Sequence, residues 1–335
     1  MLLMTAQVVV ASIIALAGSG MTYEYIAEKL DERNVLPIGR MVDVGGYKLH
    51  MIEMGQNHEG PVVIMEAGGG ACSLDWQLVQ PEISKFARVI TYDRAGYAWS
   101  NVSPLERTSE NMVEELRTML NNVGVQGPYI LVGHSFGGLN VQLFAAKYPN
   151  EVAGVILVDA NSEDGWEKFQ KGAMNAALAQ IGMIITYLGI PRLVQNIPSI
   201  KILADKNIQK YDAKIQEVYW SQKLGVKHAA INIQECACLE QNSNQLKQAG
   251  TSLGNKPLIV ISASKPLLGE ELKVLFAPEV MEKANLGWRE VQAGLPSKSS
   301  HSKHIIAEDC GHQVPYEQPE IIVEAVREMY EELRK

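Results

Sequence analysis

Clustered positive charge is missing from this chain of 335 residues: 30 Lys and Arg stand against 38 Asp and Glu, the formal charge is −8, and there is no basic run. A partner held through its phosphates needs grouped cations, so the balance argues against nucleic acid. Cysteine is scarce too. Cys72, Cys236, Cys238 and Cys310 show neither zinc-ligand spacing nor a dense disulfide framework, and no metal or cofactor is expected. Charge of either sign is absent from Met1 to Tyr23, and Leu2 to Ala17 is mostly apolar. Sixteen helical residues span about 24 Å, short of the roughly 30 Å hydrocarbon core unless the weakly polar flank through Met21 extends them. Residues 1–22 are therefore expected to be a membrane anchor, or a signal segment cut after Ala15-Leu16-Ala17 that lacks a basic start, or an ordinary soluble helix. Lys29 and Arg33 are offset by Glu24, Glu28, Asp31 and Glu32, which leaves the membrane face open.

With 47% apolar residues, the chain can bury a core large enough for one α/β domain with an insertion. Met41 to Val44, Gly45-Gly46 and Lys48 to Met54 read as a β-hairpin. Apolar strand candidates follow at Val62–Met65, Val89–Tyr92, Tyr129–Val132, Val155–Val158, Leu258–Ile261 and His304–Ala307, with helical patterns between them. One such pattern runs from Ser109 to Val123 and stops at Gly124; another closes the chain from Pro319 to Leu333. This alternation predicts a mostly parallel central sheet of about eight strands with helices on both faces. The alternation lapses between residues 161 and 250. Helices are expected there over Ala173–Leu188, Tyr211–Leu224 and Lys227–Gln248, with no convincing strand. The expected organisation is a core over 40–160 and 251–335 with an inserted helical cap over 161–250.

One stretch carries chemistry. Tyr129 to Val132 is a strand pattern, Gly133-His134-Ser135-Phe136-Gly137 interrupts it, and Leu139, Leu143 and Ala146 resume at helical spacing. The pentapeptide alone is common enough to occur by chance. Between a strand and a helix it has the setting of a nucleophile elbow, in which a strained turn lifts the serine hydroxyl clear of the sheet. A serine hydroxyl attacks at neutral pH only if a base takes its proton, and imidazole has a suitable pKa.

Glu66-Ala67-Gly68-Gly69-Gly70, Tyr92-Asp93-Arg94-Ala95-Gly96-Tyr97, the elbow, and Gly311-His312 followed by Pro319-Glu320 occur in order along the chain. From about residue 40 to its C-terminus the chain resembles the α/β-hydrolase fold family. The resemblance implies that Ser135 is the nucleophile and His312 its base. It also implies oxyanion donors at the N–H of Phe136 and of Gly69, although Ala67-Gly68 stands where the family usually has His-Gly. The family's usual acid follows the strand matching Leu258–Ile261, yet Ser262 to Gly269 contains no Asp. Asp159, at the end of the strand beside the nucleophile's, is an acid position known in some members; Glu270 and Glu271 are the alternatives. His134 is expected to pack away from the site. Asp93 and Arg94 are expected to organise their loop. Cys72 and Cys310 fall near active-site loops as an oxidised pair or as two inert thiols. The implied activity is hydrolysis of a carboxylic ester, with a small acyl substrate that the Ala-, Met- and Ile-rich insertion suggests is apolar. A thioester, lactone or amide substrate, acyl transfer, and a non-catalytic ligand-binding protein remain alternatives. Serine at the elbow disfavours the epoxide hydrolase and haloalkane dehalogenase chemistry that the family performs with aspartate.

Overall fold

The computed structural model describes residues 2–170, 176–195, 208–270, 273 and 276–335; the side chains of residues 2–6, 8, 9, 170, 176–180 and 195 fall outside that description. By compactness the chain divides into two units, residues 1–36 with 175–233 and residues 37–174 with 234–335.

The second unit holds an eight-stranded sheet built from β1 (Arg40–Asp43), β2 (Lys48–Met54), β3 (Val63–Glu66), β4 (Val89–Tyr92), β5 (Tyr129–His134), β6 (Val152–Val158), β7 (Leu258–Ala263) and β8 (Ser302–Ala307). Their order across the sheet is β1-β2-β4-β3-β5-β6-β7-β8. β1 and β2 pair antiparallel, β2 joins β4 antiparallel, and the other neighbours run parallel. Strands buried on both faces cannot alternate apolar with polar residues, which is why β3 to β7 read as continuous apolar runs. Their side chains nonetheless divide by parity. Ile64, Leu131, Val155, Leu157 and Val260 enter one core cluster, with Leu116 and Leu120 of the helix Ser109–Asn122 and Leu139 and Leu143 of the helix Phe136–Lys147. Val63, Met65, Val132, Ile156 and Ile261 enter the other, with Ile322, Val326 and Met329 of the closing helix Pro319–Glu332. The helix over Ser109–Asn122 starts where the Thr108 side chain accepts from the Asn111 N–H and stops at Gly124, whose φ of 71° a side chain would resist.

Register sets up the site. His134 pairs with Val158, and Val158 with Ile261, so Ser135 and Asp159 lie just past the carboxyl ends of adjacent parallel strands. In open parallel sheets that edge is where ligands bind.

Helix α1 (Leu2–Asn34) belongs to the first unit. It continues well beyond the charge-free segment because its later charges find partners within the unit. The Arg192 guanidinium donates to Glu24 at 2.9 and 3.0 Å and to Asp31 at 2.6 Å. Gly20 lets the backbones meet, since a Cβ there would stand 2.6 Å from the Leu188 carbonyl oxygen. Among the described residues no helix is long and apolar enough to cross a membrane; much of the expected anchor's first nine residues lies outside the described side chains. The helices Ala176–Tyr187, Ala213–Lys223, Val226–Ala237 and Leu239–Ala249 occupy the stretch without expected strands. The single helix expected over Lys227–Gln248 is two, because Cys238 at φ −93°, ψ 1° leaves the helical region and starts the second.

Candidate active site

Ser135 occupies φ 52°, ψ −121° between β5 and the helix Phe136–Lys147. A positive φ is costly for a residue with a side chain, on the order of 1–3 kcal/mol, and persists only when the surroundings fix it. Here the Ser135 N–H donates to the Val158 carbonyl at 3.1 Å, and the Ser135 carbonyl accepts from the N–H groups of Gly138 and Asn161. The glycines are required by contact. A Cβ on Gly137 would lie 2.4 Å from the Glu66 carbonyl oxygen, and one on Gly133 would lie 2.7 Å from the Gly137 carbonyl oxygen.

The Ser135 hydroxyl meets His312 in the loop after β8, with Oγ 2.9 Å from Nε2. On the far side of the ring, Nδ1 lies 2.6 Å from Asp159 Oδ2. Asp159 is buried, with φ 37°, and its N–H donates to the Ile261 carbonyl at 2.6 Å. Its carboxylate accepts two further bonds, from the Ala263 N–H to Oδ1 at 3.0 Å and from the Trp288 indole N–H to Oδ2 at 3.0 Å. With Oδ1 accepting from the Ala263 N–H and Oδ2 from the Trp288 indole, the carboxylate is placed to accept from Nδ1 of His312 as well, which leaves Nε2 facing the Ser135 hydroxyl. β7 thus supplies a donor and no carboxylate: the Ala263 N–H grips the Asp that follows the neighbouring strand.

The other expected acid positions differ. Glu270 is 83% exposed and paired with Lys273, and Glu271 lies outside the described residues. Sequence reasoning missed Trp288. It sits in the helix Pro278–Gly294, 129 residues from the carboxylate it serves, and its ring also packs edge-on against His312 at 5.3 Å between centroids. No local pattern marks a donor of that kind.

Gly68 and Gly69 lie beside the elbow. A Cβ on Gly68 would stand 3.3 Å from the Ser135 Cβ, and one on Gly69 would stand 3.7 Å from the Phe136 Cβ. Among the described residues, neither the Gly69 nor the Phe136 N–H donates to a protein acceptor. The Phe136 N–H also opens a helix, where the backbone is poised for negative charge.

His134 turns from the hydroxyl and lies against His312, centroids 4.9 Å apart, its Nε2 donating to the His312 carbonyl at 2.8 Å. Burial first, and then the neighbouring His312, push its pKa down to about 4, so it is a neutral strut across the working pH range. Of the other histidines, His50 binds Asp93, His58 meets the Ser84 carbonyl, His301 faces Glu332 and His304 meets the Ser262 hydroxyl. All four cysteines are free thiols, so Cys72 and Cys310 are not an oxidised pair; burial pushes the Cys310 thiol up to about 12.

Residues 61–180 match the family described as alpha/beta hydrolase fold. The Bacillus subtilis protein YqjL is 23% identical over 271 residues, covering 81% of this chain and 84% of its own. An esterase from Thermogutta terrifontis is similar in structure over 88% of this chain and 99% of its own, at a TM-score of 0.57 and 19% identity. The epoxide hydrolase CorEH is similar over 88% and 98%, at 0.58 and 17%. Strand order, the positive-φ serine at the carboxyl edge and the matched segment agree, and the chain has the α/β-hydrolase fold.

Proposed function

We propose that the protein is a serine hydrolase that cleaves a carboxylic ester through an acyl-enzyme on Ser135. The relay from Ser135 Oγ through His312 to Asp159, at 2.9 and 2.6 Å, is the observation that carries this reading. As Ser135 Oγ bonds to the acyl carbon, His312 Nε2 takes its proton, and the carbonyl π pair moves to oxygen. That oxyanion receives the N–H groups of Phe136 and Gly69. Collapse expels the alcohol, which leaves with the proton from His312. Water then repeats the sequence on the acyl-enzyme and releases the acid. A serine nucleophile supports ester over epoxide or haloalkane as substrate.

The Ala-, Met- and Ile-rich composition of residues 173–188 supports an apolar acyl group. Membrane association through residues 1–22 belongs to the same reading: the segment is uncharged, and Ile13, Ile14 and Leu16 are more than half exposed. Fluorophosphonate labelling together with turnover of a p-nitrophenyl ester series tests the proposal. Labelling is expected, with kcat/KM rising from acetate toward longer acyl chains. A flat profile, or one best with acetate, removes the apolar-acyl part. A protein that neither labels nor turns over is a binder, and the enzyme reading falls.

Trp288 tests the acid's setting. Losing a hydrogen bond to a charged group costs about 1.5–3 kcal/mol, so Trp288→Phe, which keeps a ring but no N–H, is expected to lower kcat roughly tenfold to a hundredfold with KM little changed. Steady-state kinetics on the preferred ester checks this, and an unaltered kcat would mean that the Ala263 N–H and His312 hold Asp159 unaided.

A further inference from the structure

The nucleophile's own N–H donor, at Phe136, is fixed by the helix it begins. The second, at Gly69, sits in a run of three glycines, Gly68 to Gly70, that has little stiffness of its own. Locally it is restrained by a turn bond from the Ala71 N–H to the Gly68 carbonyl at 3.1 Å, and that same carbonyl takes a shorter bond from a side chain outside the run.

Arg94, in the loop after β4, is 2% exposed. A guanidinium offers five N–H donors in a planar fork, and all five are engaged. Nε donates to Glu235 Oε1 at 2.7 Å and Nη2 to Glu235 Oε2 at 3.1 Å. Nη1 donates to Glu66 Oε1 at 3.0 Å and to the Ala67 carbonyl at 2.6 Å. The remaining Nη2 proton goes to the Gly68 carbonyl at 2.6 Å. The carboxylates are themselves held: Tyr97 donates to Glu235 at 2.8 Å, and Tyr92 and Asn140 donate to Glu66. Two adjacent carbonyls of the oxyanion loop thus end on one guanidinium, and Glu235 grips that guanidinium along one edge with both its oxygens.

The peptide joining Gly68 to Gly69 is planar and trans, so its C=O and N–H point in opposite directions. Fixing the Gly68 carbonyl on Arg94 therefore fixes where the Gly69 N–H points, away from Arg94. We propose that Arg94, clamped by Glu235, is the positioning residue of the oxyanion hole, orienting the Gly69 N–H through the Gly68 carbonyl. This rests on the serine hydrolase reading for its effect on catalysis, though not for its effect on the loop. Neither residue touches substrate. The arrangement explains why a buried cation is kept beside two buried carboxylates, a combination that is expensive in desolvation and adds little stability of its own.

Glu235→Gln tests it, with Glu235→Asp beside it. The amide keeps the shape but turns an NH2 toward the guanidinium; the shorter acid keeps the charge but withdraws it by one methylene. Losing an oxyanion donor outright costs about 10²–10³ in kcat, so a misaimed one is expected to cost about tenfold to a hundredfold. In the full chain, kcat on the p-nitrophenyl ester and affinity for a trifluoromethyl ketone, which becomes a hemiketal oxyanion on serine, are expected to fall by a similar factor. KM should stay within about twofold, and the ¹⁵N-glycine amide resonance of Gly69, identified by its loss in Gly69→Ala, should move. If wild-type protein turns over ester and both variants retain kcat and ketone affinity, the proposal is overturned. If wild-type protein neither labels with fluorophosphonate nor turns over, the hydrolase reading has failed, and the Gly69 amide alone decides: unmoved in both variants, it overturns the proposal as well. A lowered melting temperature with unchanged kcat per folded site likewise marks the cluster as structural only.

Discussion

Replacing Ser135 by Ala should lower ester turnover by at least about 10⁴-fold, with KM little altered, and abolish fluorophosphonate labelling. The size follows from what remains. Without Oγ, His312 Nε2 has no proton to take and no acyl-enzyme forms, so only water held near the oxyanion donors can react. The fold should survive. An Ala at φ 52° inherits the same backbone strain, held by the same bonds to Val158, Gly138 and Asn161, and loses only a hydroxyl whose partner, His312, keeps its bond to Asp159. A melting temperature within a few degrees of wild type, measured alongside the kinetics, separates lost chemistry from lost structure. Labelling that persisted in this variant would assign the reactive serine elsewhere and end the reading of the elbow.

How much of this site the sequence carries depends on the range of the interactions that build it. The elbow is local. A strand, two glycines and a helix lie within twenty residues, so residue pattern and structure agree, although the contact that demands Gly137 comes from Glu66. The sheet is legible for the same reason: strands buried on both faces cannot hide their apolar runs. Asp159 is visible as a carboxylate at a strand end, but the feature that distinguishes it from Glu270, namely three donors converging on it, comes from Ala263, Trp288 and His312, each more than a hundred residues away. Arg94 is legible as a loop organiser; its grip on Glu235 spans 141 residues and has no local signature. At the N-terminus the uncharged stretch suggests a segment of 22 residues. The helix instead continues to Asn34 because Arg192, from a distant part of the chain, neutralises Glu24 and Asp31. In each case the missing information is a tertiary partner, not a propensity.

The acid provides the sharpest test of that distinction. Asp159→Asn is expected to cost about 10⁴-fold in kcat, the scale seen when a triad carboxylate becomes an amide and the histidine is left in the wrong tautomer. The reason lies in the donor count. Wild-type Asp159 offers acceptors to the Ala263 N–H through one oxygen and to both His312 Nδ1 and Trp288 Nε1 through the other. An asparagine has one oxygen. Turned toward Ala263, it presents its NH2 to the ring, and His312 can meet that NH2 only with an unprotonated Nδ1, which puts the proton on Nε2 where the serine's proton must go. Turned the other way, it sets an N–H against the Ala263 N–H and leaves a buried donor without an acceptor, a penalty of about 1–3 kcal/mol. Either orientation leaves a buried donor unmet, the Trp288 N–H in the first and the Ala263 N–H in the second, and the first fails in catalysis as well. Glu270→Gln is the control: a carboxylate 83% exposed and paired with Lys273 should be replaceable with kcat unchanged. Kinetics of the two variants side by side decide the acid, because a large loss at Glu270 with none at Asp159 would mean that the histidine is oriented in solution by a different carboxylate.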